Sequence, residues 1–400
     1  MAKKKQHKST IGIVLYSVPR YSETFFRNKI KGLQENGFEV ILFVDYFNKD
    51  DINFPCKIVA ASVFNEGKLK TIINSLFALL KAVFVNPKRS LKLFQLDKKD
   101  GVALKKRVKN LILNQFFLNE NIDWLHFGFG MLAIDRENVA QVMNAKMAVS
   151  FRGFDLYLSP LRHKDCYKSL FTKKVKYHVL SQEMKQTLID YEISKDTIKV
   201  ITPAIDVTFF QTQNKNREDS AVIQLVSVAR LHWKKGLEYS LEALKCLKLA
   251  GVKFQYTIIG EGAQLERLVF AAHQLEIEEN VTFTGALSHD DVKSQLEQAD
   301  IYLQYSIQEG FCNAVIEAQA MGLLTVVSDA EGLSENVLNN ETGWVVPKRS
   351  PELLAHKIIE VINLSPEEKN KIRVRAIARV KEEFNLKKQK QAFVDFYKKD

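Results

Sequence analysis

Glu309-Gly310-Phe311-Cys312-Asn313-Ala314-Val315-Ile316-Glu317 sets two carboxylates eight residues apart, across a loop that enters a helix. From Ala314 to Met321 the side chains are almost all apolar. Gly322 then stops the helix, and Leu323-Leu324-Thr325-Val326-Val327 continues as a buried strand. Glu317 is therefore the single charge on an apolar helix. A buried carboxylate without a partner costs several kcal/mol, so Glu317 is expected to meet a cation or the hydroxyls of a ligand.

Strand-like apolar runs alternate with helix-like segments on both sides of this stretch. In the same half lie Val222 to Val228, Phe254 to Ile259, Val281 to Phe283, Ile301 to Tyr305 and Gly343 to Val346. The N-terminal half has its own series at Ile11 to Tyr16, Val40 to Val44, Trp124 to Phe127, Lys146 to Phe151 and Tyr177 to Leu180. Four hundred residues exceed what one core usually supports, so two doubly wound α/β domains are expected. The boundary falls near Thr202-Pro203-Ala204-Ile205-Asp206. The first domain is read as 1–203 and the second as 204–384, with a basic amphipathic helix over about 385–400 packing back on the first. Ligands of open α/β sheets sit beyond the carboxyl ends of the strands, so two such domains imply a cleft between them.

The composition, 46% hydrophobic and 26% charged, is that of a soluble globular chain. Cys56, Cys166, Cys246 and Cys312 are scattered, without a Cys-x-x-Cys pair or a Cys/His cluster at metal-ligand spacing. They read as reduced thiols of a cytoplasmic protein. No signal peptide is evident at the basic start. The longest apolar run, Ile72 to Val85, is broken by Asn74, Ser75 and Lys81 and is too short to span a bilayer.

The net charge of +11 belongs to one half of the chain. Residues 1–200 hold 34 Lys and Arg against 19 Asp and Glu, whereas residues 201–400 hold 24 against 28. Twelve of the basic residues fall between 66 and 110, interleaved with Leu, Ile and Phe. That pattern suits either an anionic membrane surface or a solvated helix face. A nucleic-acid partner is disfavoured by the acidic C-terminal half and the absence of a nucleic-acid motif.

Three further motifs follow strands of the C-terminal half. After Val228-Ala229 come Arg230 and, five residues on, Lys235-Gly236. A rigid fork of donors and a compact charge suit a diphosphate, although His232, Trp233 and Lys234 between them also fit a plain surface cluster. Gly260-Glu261-Gly262 resembles a nucleotide-approach turn but lacks the third glycine of the dinucleotide fingerprint. Phe283-Thr284-Gly285-Ala286-Leu287 ends the next strand in the same manner.

Together, Arg230/Lys235, Gly260-Glu261-Gly262, Phe283-Thr284-Gly285 and Glu309-x7-Glu317 resemble, in order and spacing, the C-terminal domain of the family-4 glycosyltransferases, which have the GT-B fold. The resemblance spans roughly residues 221–346. It implies two Rossmann-like domains facing a central cleft and an enzyme that transfers hexosyl groups with retention. Arg230 and Lys235 would grip the donor diphosphate; Glu309 with Gly310, Phe311, Cys312 and Asn313 would meet the donor sugar; Glu317 would bind the ribose. Gly260, Glu261, Gly285 and Leu287 complete the donor side, and family frequency favours a UDP-sugar.

The N-terminal half resembles the same family more faintly. Ser22-Glu23-Thr24-Phe25 is similar to a loop of polysaccharide-assembling members, and Arg152-Gly153-Phe154-Asp155 stands where many members have His-Gly-x-Asp. These residues are assigned to the acceptor or donor-sugar side, with Arg152 a departure from the family. Asp155 and Glu23 fit helix caps equally well. His126 reads as a packed strand-end histidine rather than a general base, and Cys312 as a contributor of its amide rather than of thiolate chemistry.

No Asp-x-Asp occurs anywhere in the sequence, so no metal is expected, and the resemblance implies no cofactor. The resulting expectation is a cytoplasmic enzyme, peripheral on the inner face of the membrane. It takes a nucleoside diphosphate sugar and a glycan or glycolipid acceptor of a lipopolysaccharide, capsule or exopolysaccharide. Its alternatives are a transferase acting on a soluble acceptor and a non-catalytic nucleotide- or glycan-binding scaffold.

Overall fold

The computed structural model describes residues 8–19, 24–47, 54–61, 67–211 and 221–398. They fall into two compact units. The first takes the residues up to Val179, Lys185–Ile201 and those from Lys390 onward; the second takes Leu180–Met184 and Thr202–Gln389.

The first unit is built on seven parallel strands: β1 (Thr10–Leu15), β2 (Glu39–Val44), β3 (Lys57–Ala60), β4 (Trp124–Phe127), β5 (Lys146–Ser150), β6 (Val175–Val179) and β7 (Ile198–Val200). Their order is β3-β2-β1-β4-β5-β6-β7. The central strands read as unbroken apolar runs because both faces are covered; all six residues of β1 are buried. The short outer strands β3 and β7 carry too few apolar residues to be legible in the sequence.

The second unit has six parallel strands: β8 (Ile223–Val228), β9 (Phe254–Ile259), β10 (Val281–Gly285), β11 (Ile301–Gln304), β12 (Leu324–Ser328) and β13 (Trp344–Val346). They run in the order β10-β9-β8-β11-β12-β13. Its core includes Leu241, Leu244, Tyr256, Ile258, Leu303, Val326 and Ile358, none more than 2% exposed.

The C-terminal helix Leu386–Tyr397 supplies Phe393, Phe396 and Tyr397 to the core of the first unit. Tyr397 also closes a buried hydrogen-bonded row whose direction one carbonyl fixes. The Ile201 carbonyl accepts at 3.1 Å, so His178 Nε2 carries the proton and His178 Nδ1 accepts from the Ser150 hydroxyl at 2.7 Å. Ser150 Oγ then accepts from His126 Nε2 at 2.7 Å, leaving His126 Nδ1 to accept from the Tyr397 hydroxyl. Lys29 Nζ lies 3.2 Å from that nitrogen. Burial, then Lys29, His178 and Arg152, hold His126 well below the usual imidazole range, so it is neutral and structural, as its strand-end setting suggests.

The basic segment folds as three helices, Lys68–Phe84, Pro87–Lys99 and Leu104–Asn114. The first is turned inside out. Ala78 and Ala82 face the body of the unit, while Ile72, Ile73, Leu76, Phe77, Leu80, Val83 and Phe84 are each 43–77% exposed. Among the described residues no helix is long and apolar enough to cross a membrane.

Candidate functional site

The strand order of the second sheet reverses between β8 and β11, and open parallel sheets bind ligands beyond the carboxyl ends of their strands at such a point. The chain leaving β8 passes Arg230 and a short 3₁₀ turn, Trp233–Lys235, before the helix Leu237–Leu249. Gly236 joins turn to helix at φ 61°, and a Cβ there would collide with the carbonyl of Tyr305, at the end of β11. The left-handed conformation and the close approach both require glycine. The Ile307 and Gln308 amides then donate to the Lys234 carbonyl at 2.8 and 3.2 Å, so the two post-strand segments are stitched together.

That stitching brings Lys235 onto Glu309 as an ion pair, with the two side chains 12% and 11% exposed. Burial works against the Lys235 charge, but Glu309 more than offsets it and its pKa is raised. Lys234, 9% exposed, is lowered by burial, with Lys235 and Arg230 adding repulsion. Lys234 is thus a third cation, itself buried, that the sequence reading passed over as part of a surface cluster. Arg230 is exposed, and among the described residues its guanidinium has no hydrogen-bond or ion-pair partner. Lys235 is paired with Glu309, whose charge also acts on Lys234, and Arg230 lies close enough to repel both lysines.

The loop 309–312 is held from behind. Glu309 N–H donates to Glu331 Oε2 at 3.0 Å, Glu331 is paired with Lys348, and Gly332 N–H donates to the Glu309 carbonyl at 2.9 Å. Asn336 clamps the Cys312 peptide from both sides: its Oδ1 accepts from the amide and its Nδ2 donates to the carbonyl, each at 3.0 Å. Phe311 packs edge-on against Phe384. The Cys312 amide is therefore engaged by Asn336 instead of facing a ligand, which departs from the sequence reading. Burial pushes its thiol up to about 12, which disfavours the thiolate form.

Among the described residues, the N–H groups of Gly310, Phe311 and Asn313 meet no protein acceptor. They lie at the start of the helix Asn313–Ala320, a setting that favours anions and hydroxyl oxygens. Glu317 lies on the same helix without a cation or hydrogen-bond partner among the described residues, and burial alone lifts its pKa to about 7. The cation that the sequence allowed it is not there. By surface exposure Glu317 is half-buried, so its carboxylate keeps access to solvent or to a ligand.

The glycines after β9 serve the backbone. Gly260 N–H donates to the Gly285 carbonyl at 2.9 Å, and Leu231 N–H donates to the Glu261 carbonyl at 2.9 Å. A Cβ on Gly260 would strike the Ala229 carbonyl, so the turn is pressed against the chain leaving β8 and is explained without a nucleotide. The Glu261 side chain is exposed; Gly285 (φ 74°) ends the neighbouring strand β10, and Leu287 lies just after it.

In the first unit Arg152 follows β5 with its guanidinium 4.4, 4.8 and 5.4 Å from the ring centres of Phe25, Phe26 and Phe129. Such an aromatic setting suits a planar cation and explains how arginine is housed there. Asp155 is buried and accepts from the Arg152 and Met131 amides at 3.2 and 3.3 Å. Burial raises its pKa to about 6 against those hydrogen bonds. Its contacts are those of a backbone clamp. Ser22 and Glu23 lie outside the described residues, and of Thr24 the backbone opens the helix Thr24–Glu35.

Sequence signals for the missed residues exist. Lys234 adjoins the Lys235-Gly236 pair, and Glu331-Gly332 and Asn336 sit just beyond β12, where loops of an open sheet gather. Among the described residues no group of three or more His, Cys, Asp or Glu is arranged to hold a metal ion.

Residues 208–379 match the family described as glycosyl transferases group 1. The colanic acid biosynthesis glycosyltransferase WcaL of Escherichia coli, a putative assignment by its own name, is 26% identical across 94% of this chain and 96% of its own. The amylovoran biosynthesis glycosyltransferase AmsK of Erwinia amylovora is 27% identical across 92% and 94%. Among solved structures, a glycosyltransferase of Rickettsia africae superposes with a TM-score of 0.71 at 22% identity, covering 99% of this chain and 100% of its own. HepE of Anabaena, solved with UDP and glucose, gives 0.71 at 14% identity over 97% and 98%. The pair of parallel sheets has the GT-B architecture of these neighbours, and the match to the glycosyl transferases group 1 family spans the segment that carries the cation cluster and the Glu309 loop.

Proposed function

We propose that the protein transfers a hexose from a nucleoside diphosphate sugar to a hydroxyl of a lipid-linked glycan in bacterial surface polysaccharide or lipopolysaccharide synthesis, with retention and without a metal. The observation that carries the reading is the cluster of Arg230, Lys234 and Lys235, with Lys235 paired to Glu309, whose loop leaves the amides of Gly310, Phe311 and Asn313 without a protein acceptor among the described residues. Breaking the anomeric C–O bond develops negative charge on the departing diphosphate. Preorganised cations there lower the barrier, each by an amount on the order of 3 kcal/mol. Lys235 also holds Glu309 at the sugar, and Glu317 takes the ribose hydroxyls. Retention would proceed without a protein nucleophile, the leaving diphosphate accepting the acceptor's proton. Uridine is favoured because HepE, similar in fold, was solved with UDP.

The test is transfer of labelled sugar from UDP-, GDP- and ADP-sugars to membrane glycolipid extract and to soluble oligosaccharides, in EDTA, with the anomer assigned by NMR. Transfer to glycolipid in EDTA with the donor's configuration kept supports the proposal. Loss of transfer on chelation, or an inverted product, would require another mechanism.

Membrane docking is part of the same proposal. The exposed apolar face of the helix Lys68–Phe84 adjoins helices bearing Lys88, Lys98, Lys99, Lys105 and Lys109, so apolar insertion and attraction to anionic headgroups would act together. Burying a Phe contributes about 2 kcal/mol. Phe77→Ser with Phe84→Ser is therefore expected to weaken sedimentation with anionic vesicles more than about tenfold without lowering Tm. Equal binding by variant and wild type would argue for a soluble acceptor.

A further inference from the structure

A cavity of about 700 Å³ lies in the first unit, lined in part by Trp124, Lys146, Lys173, Lys174 and Lys176. Trp124, Lys146 and Val175 are the first residues of β4, β5 and β6, and Thr197 immediately precedes β7. The cavity therefore sits at the amino ends of the parallel strands, the end opposite to the one where open sheets place their principal ligands. Its volume falls within the range of about 300–1,000 Å³ typical of small-molecule sites.

Four ammonium groups border this concavity, and the lining sets only Glu137 and Asp196 against them. Lys146 and Lys176 approach the same indole, with Nζ 5.2 and 5.8 Å from the Trp124 ring centre. Lys176 also donates to the Phe396 carbonyl at 2.9 Å, and Lys173 is paired with Asp100. Surface lysines ordinarily extend into water; here two from adjacent strands converge on one ring. Like charges brought together in a concave site raise the local potential, which an anion with several oxygens relieves.

We propose that this cavity binds a phosphate ester. Lys146 and Lys174 reach the phosphate oxygens, Lys176 braces the site from Trp124, and the apolar wall of Met147, Val175 and Ala140 takes the ester's carbon chain. The phosphate comes from a soluble phosphorylated metabolite or from an anionic lipid headgroup, and the two sources are separable.

The test titrates the full chain with glycerol 3-phosphate by calorimetry and, in parallel, sediments it with phosphatidylglycerol vesicles. Lys146→Ala with Lys174→Ala removes two exposed side chains, so folding is retained and checked by Tm. Lys164→Ala with Lys168→Ala serves as the control, removing equal charge away from the cavity. The proposal expects at least one probe to bind about tenfold or more weakly to the cavity variant, the loss of a charge-assisted hydrogen bond, with the control unchanged. Weakening of glycerol 3-phosphate binding identifies a soluble ester; weakening confined to vesicles identifies a lipid phosphate. Absence of binding by the wild type, equal binding by the cavity variant, or a loss matched in the control overturns the proposal.

Discussion

Arg230→Ala is expected to lower glycosyl transfer about 100-fold with Tm unchanged, whereas Lys235→Ala lowers both. The two cations share a role in the proposed chemistry and differ in their surroundings. Arg230 is exposed and has no hydrogen-bond or ion-pair partner among the described residues, so its truncation changes folding by no more than about 0.5 kcal/mol. Lys235 is paired with Glu309 where both side chains are nearly buried, and its removal leaves that carboxylate without compensation at a cost of about 3–5 kcal/mol. A second substitution separates the effects. Lys235→Ala with Glu309→Gln recovers much of the stability and none of the turnover. Calorimetric Tm beside initial rates reads both quantities. Parallel loss of Tm and activity in Arg230→Ala would make the cluster structural.

Glu317→Gln is expected to stabilise the protein at pH 8 and to weaken nucleotide binding. Burial raises this carboxyl from an ordinary 4.5 to about 7, so folding favours its protonated form. The associated stability is fully present below about pH 4.5 and is lost as pH rises through about 7. By pH 8 the ionised group costs up to about 3 kcal/mol, which the neutral amide removes. The same charge is what two ribose hydroxyls would use. Nucleotide affinity of the wild type should therefore rise with pH through about 7, and Glu317→Gln should bind about 10- to 100-fold more weakly with no such pH dependence. Denaturant melts at pH 4 and 8, with titrations between pH 6 and 8, test both halves. A variant less stable than wild type at pH 8 would mean that Glu317 has a protein partner after all.

Long-range apolar runs made the fold readable. The strands through the middle of each sheet are buried on both faces and announce themselves as continuous Val, Ile and Leu, while Lys57–Ala60 and Ile198–Val200 lie at sheet edges and have no such signature. The Glu309-x7-Glu317 spacing was equally plain, since two carboxylates flanking an apolar helix are hard to place in a core. What the sequence concealed was tertiary. Asn336 reaches the Cys312 peptide from 24 residues away, and Gly260 owes its identity to the carbonyl of Ala229. Lys234 looked solvated because nothing local shows that Ile307 and Gln308 fold over its carbonyl. The helix Lys68–Phe84 gave a different ambiguity: its segment suited either a membrane surface or a solvated helix face, and the packing through Ala78 and Ala82 shows that its apolar residues point outward.

The central claim is that the second unit holds a nucleoside diphosphate through its own cations and Glu317. Calorimetric titration of UDP, GDP and ADP in EDTA against wild type, Arg230→Ala and Glu317→Gln measures it directly. The account predicts micromolar binding of one nucleotide, UDP foremost, that weakens at least about tenfold in each variant. Absence of binding by any of the three nucleotides, or binding that neither substitution disturbs, would contradict it.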